Sequence, residues 1–359
     1  MRVTTVYDPH GKMADAAEWA GRMESLGFDE LRFPELAHNP FTAITLAAQR
    51  TQSARIGPGV AIAFARSPYV MAHVGWNLQE YSAGRLLLGI GTQIQAHNER
   101  RFSVPWGPPT ERLREYIEMM RAVWHTWRTG ERPNYQGEHY TYSLDSFLFN
   151  PGPIDYPDPP IAVAAARPRN TRLAAEVADG VLWNRMVSWT YRDEVLVPAF
   201  EAGARAAGRD PKDLIISGGG YVVTARDEER LAVALAEARR MMAFYGSTWE
   251  YQQTIRRAGL GDVGAQLHRL SFGQQWDEMV KLVGDEFIDR FAVVATWDEL
   301  PRKVAERYGG VNTEVDFRTT IETAEEEEHA REVIQRLQVI PARGETERSP
   351  IPAEPAGPQ

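Results

Sequence analysis

Glu35 and His38 are the first residues of the chain whose types and spacing could move a proton. They lie in FDELRFPELAHNPF, residues 28–41, where an apolar run that reads as a strand gives way to Pro34, the carboxylate, the histidine and Pro40. An imidazole titrates near neutrality, so His38 could accept a proton from a hydroxyl or deliver one to a carbonyl or imine. Glu35, close by in the same loop, could orient or tune it. A turn followed by a helix cap would use the same residues without chemistry. Their place just after a strand brings the chemical reading level with that alternative.

Other strand ends gather matching chemistry. GPGVAIAFARSP, residues 57–68, sets Gly59, Val60 and Ala61 within a strand, and a strand-interior glycine marks a bulge or a close backbone approach. GIGTQIQAHNERRF, residues 89–102, follows Gly91 with Thr92, Gln93, His97, Asn98, Arg100 and Arg101. It lacks the third glycine and the immediate helix of a dinucleotide fingerprint. AAARPRNTR, residues 164–172, offers small residues where a ligand could come close. Ala166 is followed by Arg167, Pro168, Arg169, Asn170 and Arg172 at a helix N-terminus, a suitable place for a phosphate. Each arginine alone reads as a solvated surface residue. Five of them after two neighbouring strands of an acidic chain point to an anionic ligand. Phe41, Trp106 and Trp183 are placed to wall a substrate pocket. SGGGY, residues 217–221, reads as close packing rather than phosphate binding.

Other chemistries are excluded or disfavoured. The chain has no cysteine, so disulfides, thiolate metal sites and a cysteine nucleophile are out. No H-x-H or H-E-x-x-H pattern exists, and no metal site is expected. The fourth strand ends without a carboxylate, against a paired-carboxylate glycosidase. A net charge of −9 argues against a nucleic-acid partner. No apolar run approaches the roughly 20 residues that span a bilayer. The expected protein is soluble and cytoplasmic.

These groups must be positioned by a repeating scaffold. Strands are expected at residues 2–6, 28–34, 55–62, 85–91, 161–165, 180–184, 214–224 and 313–317. Amphipathic helices are expected at 15–26, 42–51, 68–84, 110–128, 168–178, 191–207, 227–242, 300–308 and 324–337. The run RLLLGIG is apolar almost throughout, as a parallel strand covered on both faces should be. Eight βα units imply a (β/α)8 TIM barrel, with active residues at the C-terminal ends of the strands. A hairpin at 134–143 and a helical segment at 248–284 read as insertions. Residues 1–340 are expected to form a single domain, and the Pro-rich tail, 341–359, to be disordered.

Two motifs carry a family resemblance. SPYVMAHVGWNLQEYSAGRLLLGIGTQIQAHNERRF, residues 67–102, and LAAEVADGVLWN, residues 173–184, resemble the luciferase-like monooxygenase superfamily. The likeness is greatest to its coenzyme F420-dependent oxidoreductases and spans about residues 1–320. It implies a barrel with a deazaflavin in its mouth, and an oxidoreductase passing hydride between F420 and a small alcohol, enone or imine. It also implies a cis Gly59–Val60 bond behind the ring. Gly91, Thr92, Gln93 and Asn98 would line the ring and ribityl chain, and Ala166 to Asn170 would hold the phosphate. Many relatives join an acid directly to the strand-two histidine; here Leu36 and Ala37 intervene. That leaves open whether His38 or Glu35 faces the ring. The alternatives are a reduced-FMN monooxygenase of the same superfamily and a barrel that binds a flavin without catalysis. The resemblance also implies a homodimer.

Overall fold

The computed structural model describes residues 1–345. The parallel strands are β1 (Arg2–Val6), β2 (Glu30–Phe33), β3 (Arg55–Pro58), β4 (Ala61–Ile62) and β5 (Leu88–Gly91). A small hairpin, β6 (Tyr135–Gln136) with β7 (Thr141–Tyr142), interrupts the series. Then follow β8 (Ile161–Ala165), β9 (Gly180–Trp183), β10 (Ile215–Gly218), β11 (Tyr221–Ala225), β12 (Ala292–Thr296) and β13 (Glu314–Asp316).

Two arcs build the barrel. One runs β13-β1-β2-β3 and the other β10-β9-β8-β5-β4, all parallel. The arcs meet at two seams. At one, Leu87 N–H donates to Ile56 O at 2.9 Å, and Ile56 N–H donates to Arg85 O at 3.0 Å. At the other, Thr313 N–H donates to Ile216 O at 2.9 Å, and Ile216 N–H donates to Thr313 Oγ1 at 3.0 Å. With β3 and β4 counted as one position, the barrel has eight strands. It is the expected TIM barrel.

Three sequence expectations need correction. The strand expected at 55–62 is broken between β3 and β4, where the chain bulges and Gly59–Val60 is a cis peptide. The strand expected at 214–224 is two strands. Gly218, Gly219 and Gly220 turn between them at φ of 80°, 79° and 136°, a left-handed region that side chains resist. β11 then leaves the barrel and pairs in parallel with β12, a strand not foreseen in the sequence. Finally, residues 341–345 are packed rather than loose: Arg343 N–H donates to Asn312 O at 3.0 Å, and its guanidinium binds Glu201 at 2.7 Å. The rest of the expected tail, 346–359, lies outside the described residues.

Besides a small group of Leu87, Ala162 and Leu182, with Val60 and Ile215 packed against it, two larger apolar clusters follow from this layout. The larger fills the space between strands and surrounding helices, with Trp76, Trp124, Trp127 and Phe200 fully buried in it. The smaller lies beneath β11 and β12 and the helices of residues 228–291, around Met242, Leu267, Met279 and Phe291. Among the described residues, no helix is long and apolar enough to cross a membrane.

The barrel interior is charged. Glu30 and Arg32 alternate with Leu31 and Phe33 on β2, so the charged pair points inward while the apolar pair meets the helices. Arg32 donates to Glu30 at 2.5 Å, to Glu314 on β13, and across the barrel to Ser217 Oγ on β10 at 2.9 Å. Arg55 on β3 binds the same two carboxylates. Burial would push the Glu30 carboxyl up; Arg32 and Arg55 beside it hold it below its ordinary value. Layers of branched apolar residues are usual in such barrels. Here two carboxylates and two guanidiniums complete a neutral layer instead.

Candidate active site

The mouth is built from the loops after the strands. After β2, Glu35 does not reach His38. Its carboxylate accepts from Ile62 N–H at 2.7 Å and from both Arg66 nitrogens, at 2.9 and 2.5 Å. Its own N–H donates to Val60 O at 3.4 Å, and Gly59 N–H donates to Phe33 O at 3.0 Å. Glu35 therefore ties the β2 loop to the bulge from both sides. Gly59 is required there: a Cβ would stand 2.9 Å from Arg32 Cβ. Arg66 lies over the Phe41 ring, 5.1 Å from its centroid. His38 is exposed and hydrogen-bonds to no described residue. The capping role belongs to its neighbour, since Asn39 accepts Phe41 N–H at 3.0 Å to start the helix Pro40–Arg50.

Beside the bulge, β5 and β8 supply a floor of small residues. A Cβ on Gly91 would meet Ala164 Cβ at 3.1 Å and Val60 Cγ2 at 3.2 Å. Thus the ends of three neighbouring strand positions converge on one surface. Gln93 takes a left-handed φ of 58° and accepts Ile94 N–H at 3.0 Å. Asn98 is fully buried; its amide donates to Thr92 O at 2.9 Å and Ile94 O at 3.0 Å, while its Oδ1 has no partner. After β8, the helix Pro168–Val177 opens with Arg167 at its N-cap and no side chain capping it. Its first N–H groups have no acceptor within the helix. Ala166 is half-buried at this turn.

The arginines divide. Arg169 pairs with Glu111, and Arg172 with Glu176 at 2.7 Å. Arg100, Arg101 and Arg167 are exposed and form no ion pair with a described residue. Asn170 Oδ1 accepts from the Thr110 hydroxyl at 2.7 Å. Trp106 is half-buried against Phe64, ring centroids 6.5 Å apart. Trp183 is taken up by packing instead of opening to a pocket. It is 3% exposed, donates to Thr171 Oγ1 at 3.2 Å and meets Phe200 edge-on.

A second cluster on the opposite strands was not foreseen. Arg185 follows β9, Asp316 ends β13, and Arg318 lies just beyond it. Tyr308 and Arg192 close the group beside the Gly218–Gly220 turn. Arg318 binds Asp316 at 2.5 and 3.0 Å. The Thr4 hydroxyl also donates to Asp316, at 2.6 Å. Burial would raise the Asp316 carboxyl, yet Arg318 and Arg32 hold it well below the usual carboxylate range. Arg185 stacks over Tyr221 at 4.3 Å. The signal was available: DFR, residues 316–318, and NR, residues 184–185, place charges directly after strands.

A cleft of about 850 Å³ opens at the other end of the barrel, among Met1, Arg2, Asp29 and Thr313 at the strand N-termini. It contains none of these groups.

The model of the luciferase-like monooxygenase family matches residues 2–313. The chain belongs to the luciferase-like monooxygenase family. On that membership it is an oxidoreductase. An uncharacterized protein of Mycobacterium tuberculosis, Rv1360, is 42% identical over 300 residues, covering 84% of this chain and 88% of that protein. A 5,10-methylenetetrahydromethanopterin reductase of Archaeoglobus fulgidus is 29% identical over 317 residues, covering 85% and 90%. Among solved structures, the coenzyme F420 dependent tetrahydromethanopterin reductase from Methanopyrus kandleri superposes with a TM-score of 0.75 at 21% identity. That match covers 94% of this chain and 98% of the other. Family members of this barrel thus share its layout at modest sequence identity.

Proposed function

We propose that the protein is an F420-dependent oxidoreductase that transfers hydride between the deazaflavin and a small alcohol, enone or imine. The carrying observation is the floor where Val60, Gly91 and Ala164 converge beside the Gly59–Val60 bulge. A flat ring fits a surface without projecting side chains. The Methanopyrus reductase, which is coenzyme F420 dependent, supports the choice of deazaflavin.

The residues fit the group in two further respects. The orphaned Asn98 Oδ1 offers an acceptor to a ribityl hydroxyl, with Thr92 and Gln93 alongside. The uncapped helix start, Ala166, Arg167, Pro168, Arg169 and Asn170, offers N–H groups and a free guanidinium to a phosphate. When bound, the deazaflavin supplies a two-electron hydride centre. Gly59, Val60 and Ala61 would hold it at the bulge. His38 holds or takes the substrate's hydroxyl proton on an imidazole nitrogen. Glu35 keeps the bulge in place through Ile62 and Arg66. Phe41 and Trp106 border the substrate side.

The second reading, a monooxygenase using reduced FMN, rests on the family's own description. Fluorescence titration with F420 and with FMN separates the two. Micromolar or tighter binding of F420 alone is expected; preference for FMN overturns the proposal. We further propose a cytoplasmic homodimer. Its support is the exposed apolar segment holding Leu144, Phe147, Leu148 and Phe149. A monomer by light scattering at micromolar protein would refute the dimer.

A further inference from the structure

Across the barrel from the bulge, the chain has assembled more cationic donors than it uses. In an eight-stranded barrel the third position, β3 and β4, faces the seventh, β10. The β10 end is flanked by β9 and β13, whose ends and following residues carry Arg185, Asp316 and Arg318.

Arg192 is 3% exposed; its Nε binds Asp193 at 2.7 Å, but its Nη1 is buried with no partner. The Tyr308 hydroxyl is likewise buried without a partner. Both orphan groups are donors. The local acceptors are already engaged: Asp316 by Thr4 and Arg318, Asp193 by Arg192. Arg185 makes no ion pair with a described residue and is partly buried against Tyr221. Burial pulls its guanidinium below the ordinary value, and neighbouring Arg318 adds to that. Three guanidiniums thus face two carboxylates. The charged layer beneath is balanced, with Arg32 and Arg55 against Glu30 and Glu314, and contributes no counter-charge.

The glycine turn borders the same place. A Cβ on Gly219 would stand 3.2 Å from Arg192 Cδ, and one on Gly220 would stand 2.9 Å from the Tyr308 hydroxyl. Side chains here would crowd the two orphan donors. A water molecule could accept from both donors, but it would leave the excess charge unpaired.

We infer that the substrate carries an oxyanion, a carboxylate or a phosphate, held by Arg185 with Arg192 and Tyr308 at the ends of strands β9 and β10. The inference rests on the proposed hydride-transfer reading, because it places the anion opposite the cofactor floor. The cofactor's phosphate would bind at residues 166–170, on the other side of the mouth.

The test is titration of F420-saturated protein with inorganic phosphate and with acetate, followed by calorimetry. Saturation fills the cofactor's own phosphate site. Binding of at least one anion is expected. Arg185→Leu should weaken it about tenfold or more, since it removes a charged donor. Arg185→Lys should retain part of the affinity. Arg302→Ala, a surface control, should not change it. Matching unfolding midpoints and F420 affinity in Arg185→Leu confirm that the variant is folded. Binding of neither anion, or binding indifferent to Arg185→Leu, overturns the inference while leaving the F420 reading intact. If F420 itself does not bind, the hydride-transfer proposal fails. The same titration on the protein alone then reads the Arg185 site directly: loss of anion binding in Arg185→Leu upholds the anion site, and no loss overturns it.

Discussion

At the scale of single residues, Glu35 and His38 have been separated by the fold. The carboxylate serves the bulge; the imidazole stands free. The two should respond differently to truncation. His38→Ala removes an exposed side chain without partners, so stability should change by less than about 0.5 kcal/mol. If it moves the substrate's proton, turnover should fall by roughly 10²–10⁴ with F420 affinity unchanged. Glu35→Ala leaves Ile62 N–H and Arg66 unmatched in a largely buried place. It should cost about 1–3 kcal/mol and weaken F420 binding as well. Urea midpoints and cofactor titration check both, and equal behaviour of the two variants would contradict the division. Both residues were legible in the sequence as a polar loop after a strand. Their partners were not. Arg66 and Ile62 come about thirty residues later, and only the bulge brings them back. The same holds for Arg192 and Tyr308, which meet through the glycine turn.

At the scale of elements, the glycines explain both broken strands. Gly57, Gly59 and the run at 218–220 were visible, but propensity alone does not say whether a glycine bends a strand or ends it. The answer depends on what lies opposite. A Cβ on Gly218 would sit 2.1 Å from Trp183 O, and its φ is 80°. Gly218→Ala should therefore destabilise by about 2–4 kcal/mol, read as a shift in the urea midpoint with an unchanged slope. A neutral outcome would mean that the turn rebuilds. β12 escaped notice for the opposite reason. AVVAT is a short continuous apolar run between helical segments, and periodicity cannot tell such a run from a buried helix turn. The helices were easier, because long amphipathic repeats such as Pro109–Thr129 declare their buried face.

At the scale of the whole molecule, the barrel count was right because the additional strand pair lies outside the closed sheet. What the pattern hid was the nature of the interior. Glu30 with Arg32, and Glu314 with Asp316, are spaced two apart, which puts each pair on one strand face. Nothing local says that this face is the inside. The charged layer makes stability depend on pH in a definite direction. Glu30 and Asp316 have folded values below their unfolded ones. Their contribution is complete above the unfolded carboxylate range near ~4 and is lost as pH falls through it toward the folded values. The urea midpoint should accordingly drop steeply between about pH 5 and pH 3. Glu30→Gln should remove part of that dependence while costing about 3–5 kcal/mol at pH 7, since it leaves the buried Arg32 and Arg55 guanidiniums without their partner. A flat acid profile in the native protein would show that the layer is not coupled to folding.

The turn at Gly218–Gly220 has a consequence for inheritance as well as for shape. Between β11 and β12 the chain travels outside the eight-stranded ring, and residues 228–291 wrap an apolar centre of their own before the chain comes back to the strand next door. The excursion is a cassette with both ends at one seam. Recombination at those ends could replace the whole excursion with another of any length. The register of the ring, and the floor on its far side, would be preserved.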